Sequence, residues 1–221
     1  MSIRNIPLRK LLQLMYADDR LRTSKLREDI RNTIARDSGI ESGGPDFYSP
    51  FWYSAKNHVF GTNDLHTDVE EHIATNYRRA RLYPRLRDGF LLWWNERRRW
   101  TNEPFVPADA LSGVYPNEAL DVTVKVNNIL SVRDGTEEEH FMYPYFCPEP
   151  VLSLEAARIG LWIMRNTFPN VPEDDLRILD VIRGENYSIG RVQMLGDEQR
   201  IFEARFQWLL NEWDRLRLEY D

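Results

Sequence analysis

Residues 77–100, YRRARLYPRLRDGFLLWWNERRRW, hold eight arginines against two acids, with Tyr77, Tyr83, Trp93, Trp94 and Trp100 interleaved. Arginine beside aromatic rings is the chemistry of phosphate gripping and base stacking. It makes Arg78, Arg79, Arg81, Arg85, Arg87, Arg97, Arg98 and Arg99 candidate nucleic-acid-binding residues. At ~100° per residue, Arg87 and Arg98 fall on one flank of a helix here and Arg85 and Arg99 on the other. Arg97 lies near the Trp93 face. A dedicated phosphate-binding helix would keep its charges on one side, so the competing expectation is an amphipathic helix whose arginines pair with acids of the C-terminal half.

Other reactive side chains give less. His58, His66, His72 and His140 are scattered, and no two have the i, i+4 spacing of a helical metal pair. His72 follows Glu70 and Glu71, so a carboxylate–histidine dyad competes there with an exposed charged face. Cys147, the single cysteine, excludes an intramolecular disulfide and a multi-cysteine zinc site. Between Phe146 and Pro148 it reads as a small core residue rather than a nucleophile. No G-x-S-x-G elbow, G-x-x-x-x-G-K-[ST] or G-x-G-x-x-G pattern occurs.

The elements that must position these groups begin with helices, which dominate the first hundred residues. A short helix follows Pro7. Thr23 can cap a helix over 24–36 with Leu26, Ile30 and Ile34 a turn apart. DSGIESGGPDFYSP (37–50) is a breaker and the best candidate for a mobile loop. A short helix is expected over 50–60. Thr67-x-x-Glu70 has capping-box spacing ahead of Val69, Ile73, Tyr77 and Ala80, and Pro84 opens a helix reaching about residue 99. Residues 101–119, with Pro104, Pro107, Gly113 and Pro116, read as a connector.

Then the period changes to two. Val122, Val124 and Val126 alternate with polar residues, Arg133-Asp134-Gly135 turns, and Glu139–Cys147 makes a second strand. Ser153 caps a helix carrying Ala157, Leu161, Met164 and Phe168. Residues 176–182 form a strand, 187–195 offer a fourth, and Asp197 caps a long final helix. The expected fold class is α/β (α+β): a helical N-terminal half plus a small mixed sheet flanked by helices, β-β-α-β(-β)-α in the C-terminal half, as a single domain over 1–221. On the last helix, Trp208 and Trp213 stand five positions apart, so one can pack inward while the other meets a partner. Both are candidate interface residues.

The stretches TVKVNNILSVRDG, EEHFMYPYFCPEP, SLEAARIGLWIMRNTFP and LRILDVIRGENYS resemble, in element order, the second half of the PD-(D/E)XK nuclease superfamily, particularly its RecB-type branch. The resemblance covers about a third of the chain. It implies a strand ending in Asp and a strand carrying (Asp/Glu)-x-Lys around Mg²⁺. The Asp position falls here on Asn127, and the second strand offers Tyr143 and Tyr145 with no acid or lysine. These three are the degenerate metal-site positions, so no metal, cofactor or catalytic residue is expected. A shift of a few residues in the alignment would return Asp121, Lys125 and Glu137–Glu139 as candidates for a divergent nuclease.

Composition sets the frame. The chain has 221 residues and a net charge of −6, with 18 Lys/Arg against 15 Asp/Glu in residues 1–110 and 11 against 20 in residues 111–221. A basic half joined to an acidic half fits a polar partner surface. No run approaches the ~18–20 apolar residues of a membrane span, and the start lacks the h-region of a signal peptide. A cytoplasmic, membrane-free protein is the expectation. The leading functional expectation is a non-catalytic accessory or adaptor subunit with a protein partner, tied to nucleic-acid handling. The alternatives are direct DNA or RNA binding through 77–100 and a divergent metal-dependent nuclease.

Overall fold

The computed structural model describes residues 3–39 and 47–220. A three-residue strand β1 (Asn5–Pro7) runs into α1 (Leu8–Tyr16), followed by α2 (Asp19–Asp37), α3 (Ser49–Val59), α4 (Leu65–Thr75) and α5 (Tyr83–Leu92). A single π-helical turn, Trp93–Arg97, ends α5. The sheets come next: β2 (Val106–Pro107), β3 (Gly113–Asn117), β4 (Val122–Val126), β5 (Leu130–Arg133) and β6 (Glu139–Tyr145). The chain closes with α6 (Leu154–Thr167), β7 (Leu176–Asp180), β8 (Glu185–Ser188) and α7 (Glu198–Arg217). The α+β class, the helical first half and the mixed sheet of the second half are as expected from the sequence. No helix among the described residues is long and apolar enough to cross a membrane.

Several boundaries differ, each for a local reason. Asp18, not Thr23, caps α2 by accepting the Leu21 amide at 2.7 Å. Asp64, not Thr67, caps α4 by accepting the Thr67 amide at 3.0 Å. Asp197 takes the N-cap place of α7 without a capping bond, and its carboxylate faces Arg158 and Arg200 instead. The fourth strand is Glu185–Ser188 rather than 187–195. The loop expected over 37–50 lies partly in residues 40–46, outside the described residues.

The expected single sheet is two. One has the order β1-β4-β3 and the other β2-β5-β6-β7-β8. The presumed connector 101–119 therefore supplies two strands, and β3 pairs antiparallel with β4 along its whole length. Its Pro116 is tolerated because β3 is an edge strand. In the larger sheet β5, and not the Val122–Val126 strand, pairs antiparallel with β6 across the turn after Arg133, while β6 and β7 run parallel through the crossover helix α6.

Strand alternation sorts the core onto two faces. Phe141, Tyr143, Tyr145, Leu176 and Ile178 join the valines of β4 beneath α1, α6 and α7. Leu130, Val132, Met142, Leu179 and Val181 face the opposite side, against α3, α4 and α5. That second core is largely aromatic: Phe51, Trp52, Tyr83, Phe90, Trp93 and Trp100 are buried in it. Helices thus cover both faces of the larger sheet.

Candidate functional site

The β4–β5 junction is where the sequence reading puts a degenerate metal site. Partners on β6 extend to β5 only as far as Met142, paired with Leu130, while Tyr143–Tyr145 pair with β7 alone. The chain therefore opens a cleft between the bend at 127–129 and the end of β6. Asn127 is exposed at the bend. Asn128 sits at φ 63°, and its carbonyl accepts the indole N–H of Trp52 at 2.6 Å. The Tyr143 hydroxyl accepts the backbone amide of Arg9 at 2.8 Å, and the Tyr145 hydroxyl donates to the Pro150 carbonyl at 2.8 Å. Burial pushes the Tyr143 phenol up to about 12 and raises Tyr145 as well. Neither presents an anionic oxygen to a cation at neutral pH.

Beside the bend lies a cavity of about 260 Å³ whose lining includes Arg9, Tyr48, Trp52, Tyr53, Lys56 and Asn128. Arg9 comes from the first turn of α1, and α3 supplies Trp52, Tyr53 and Lys56 one turn apart. Phe146 closes the wall, stacked on Tyr48 at 5.1 Å and edge-on to Trp52 at 5.5 Å. The Arg9 guanidinium lies over the Tyr48 ring at 4.4 Å. Among the described residues, no carboxylate lines the cavity. Desolvation pulls the Lys56 ammonium below its ordinary value. Sequence reasoning missed this site because Arg9 and Lys56 belong to no motif and lie 47 positions apart.

Next to it, Asp180 is fully buried at the end of β7 and pairs with Arg183 at 3.1 Å. Arg183 also donates to the carbonyls of Cys147 and Pro148 at 3.2 and 2.6 Å. Cys147 is buried, as expected of a core residue, and burial raises its thiol.

Among the described residues, Asp134, Glu138 and His140 bring one ligand atom each within 4.8 Å of one another. Hydrogen bonding accounts for the Asp134 carboxylate without a cation. Asp134 accepts from the Thr136 amide and hydroxyl at 2.8 and 2.7 Å and from the Glu138 amide at 3.2 Å, and it meets the His140 ring at 3.2 Å. Burial opposes ionisation of Asp134, but these bonds outweigh it and hold the carboxyl far below its usual range. This carboxylate closes the β5–β6 turn. His72 forms no dyad with Glu70 or Glu71. Its Nε2 lies 3.1 Å from the Ser54 hydroxyl instead.

The arginine run divides. Arg97 pairs with Glu185 of the C-terminal half and donates to the Arg183 carbonyl at 3.2 Å. Arg98 lies over Trp94 at 3.9 Å with Glu103 3.6 Å away, and Arg87 pairs with Asp88. Arg79 covers the Tyr83 ring at 5.3 Å. Arg78, Arg81, Arg85 and Arg99 are exposed, and their side chains have no hydrogen bond or ion pair among the described residues. Pairing with the C-terminal half thus accounts for Arg97 alone.

On α7, Trp213 packs half-buried against the first core, whereas Trp208 is 47% exposed under the Arg22 guanidinium at 4.6 Å. Trp208 borders a groove of about 400 Å³ that also involves Met15, Asp19, Arg22, Arg205 and Leu209.

No family model, curated protein or solved structure matches the chain.

Proposed function

We propose that the chain is a non-catalytic accessory subunit, built on a nuclease-like element order and working through protein contacts. The observation that carries this reading is the use made of the positions where such a nuclease would hold its metal. Tyr143 and Tyr145 are committed to structural hydrogen bonds, and the adjoining cavity is cationic. Positive charge repels Mg²⁺ and removes the reason for carboxylates there. The exposed Trp208 beside its groove supports the protein-contact half of the reading, since a half-exposed tryptophan with a stacked arginine is hot-spot chemistry. Purified protein is expected to leave single- and double-stranded DNA and RNA intact with Mg²⁺ or Mn²⁺. In lysate, mass photometry of the tagged chain is expected to give a mass above the monomer that Trp208→Ala lowers. Digestion abolished by chelator, or a monomer throughout, overturns the reading.

A second reading, direct nucleic-acid binding, is favoured by the four exposed arginines that pair with no acid among the described residues. It predicts that changing Arg78, Arg81, Arg85 and Arg99 to Gln flattens the salt dependence of single-strand binding. The slope of log K against log[salt] falls by roughly 0.7 for each phosphate that is no longer neutralised. Arg97→Gln, which removes a cation already paired with Glu185, leaves the slope unchanged. Equal slopes for the fourfold variant and the parent remove this reading.

A further inference from the structure

The cavity of Arg9 and Lys56 is a different kind of place from other cation sites of the protein. Lys10 pairs with Asp29, Arg183 with Asp180 and Arg205 with Glu155, each with a carboxylate at hand. In the cavity two half-buried cations share one enclosed space, and neither pairs with a carboxylate among the described residues. Arg9 has the Tyr48 ring beside it and the Cys147 thiol, which burial raises. An ammonium partly removed from water, as Lys56 is, is unfavourable unless an anion completes the site. The walls are set before anything binds. The Trp52 indole is tied to Asn128, and Phe146 is clamped between Tyr48 and Trp52. A rigid site loses little freedom on binding.

The parts define the ligand. An arginine fork and a lysine point charge together match the doubly charged phosphoryl group better than a single carboxylate. Tyr53 is 67% exposed at the rim and leaves a ring face for a flat group. About 260 Å³ sits just under the usual ~300–1,000 Å³ of small-molecule sites, which limits the occupant to something small. We propose that this pocket binds the phosphate monoester of a small flat molecule of mononucleotide size. Arg9 and Lys56 hold the phosphoryl oxygens, and Tyr53 covers the flat portion. The proposal is independent of the accessory-subunit reading and holds whether or not a protein partner exists.

The test is titration calorimetry of the full chain with adenosine 5′-monophosphate, inorganic phosphate, adenosine and malonate, alongside a 5′-phosphorylated oligonucleotide and its 5′-hydroxyl twin. Saturable binding of the monophosphate is expected, with weaker binding of phosphate and none of adenosine. Preference for the phosphorylated oligonucleotide over the mononucleotide would assign the same phosphoryl chemistry to a strand end, against the small-molecule occupant. Lys56→Gln should weaken the monophosphate about tenfold, as removal of one charge-assisted hydrogen bond does. Tyr53→Ala should weaken the monophosphate and leave inorganic phosphate unchanged. Arg9 is packed on Tyr48, so its variants risk the fold. Lys56 holds no acid in place among the described residues, and its variant keeps the test decisive. Absence of saturable binding by every phosphate compound, equal affinity in Lys56→Gln, or malonate binding as tightly as the monophosphate overturns the proposal.

Discussion

Arg183→Ala should cost about 3–5 kcal/mol of folding stability, the usual range when a buried pair loses one partner. The guanidinium reaches both carboxylate oxygens of Asp180, at 3.2 and 3.1 Å, and two carbonyls of the segment that follows β6. It ties the ends of the two parallel strands together at the edge nearest the cationic cavity. Without it a fully buried carboxylate has no counter-charge, and two carbonyls lose their donor. Burial already holds Asp180 above the ordinary carboxylate range, with Arg183 pulling it back. In the variant that restraint is gone, so the folded-state value rises further above the unfolded one. The folded form then binds more protons than the unfolded form across that interval. Its stability deficit is therefore smallest below about pH 4, the ordinary Asp value, and widens as pH rises through the folded value. Urea unfolding at pH 4 and pH 7.5 measures both terms. A second change, Asp180→Asn, should recover part of the loss at pH 7.5 by removing the stranded charge. A loss under about 1 kcal/mol, well below that range, or a deficit that does not change with pH, would show that the pair is not what holds this edge.

What could be read from the sequence follows from how far apart the cooperating residues lie. α6 was legible because its signals are local. Ser153 caps it by accepting the Ala156 amide at 3.1 Å, and an apolar stripe follows within the same fourteen residues. β4 was legible because Val122, Val124 and Val126 alternate regardless of what they pair with. β1 was not, since three residues carry no period, and their strand character comes from pairing with Thr123–Lys125 far along the chain. β3 was hidden by Gly113 and Pro116, which mark breakers in isolation and edge positions in a sheet. The parting of β4 from β5 into separate sheets was also out of reach, because the bend is fixed by Trp52 donating across 76 positions. The candidate site inherits this difficulty. Its cations line one cavity only because α1 and α3 both border it, whereas the arginine run was conspicuous in sequence and its side chains serve several separate purposes.

Gly89→Ala should lower stability by about 3 kcal/mol or more, the scale of an overpacked core position, and its sign is the informative part. In an exposed helix the same change stabilises by roughly 0.5–1 kcal/mol, because alanine is the better helix former. Here a Cβ on residue 89 would stand 2.2 Å from the Val181 carbonyl oxygen and 2.3 Å from that of Ile182. The obstruction is backbone, so no side chain can swing aside. The turn on the other side is equally closed. Gly184 has φ +62°, and a Cβ there would meet the Gly89 carbonyl oxygen at 2.6 Å. α5 cannot retreat as a unit, since Leu86, Phe90 and Trp93 on either side of the contact are fully buried in the aromatic core. Relief must come from lifting the helix off the β7–β8 turn, which opens that core and breaks the Arg97–Glu185 pair beside it. At the ~2–4 °C per kcal/mol expected for a chain of this length, the midpoint should fall by about 6–12 °C, with tryptophan fluorescence reporting Trp93 and Trp94. A midpoint that rises or stays put would mean that α5 has room to move. The docking of the helical half on the sheet would then rest on side chains alone. A fall of the expected size instead makes the two glycines the contact that fixes where α5 presents Arg85 to solvent.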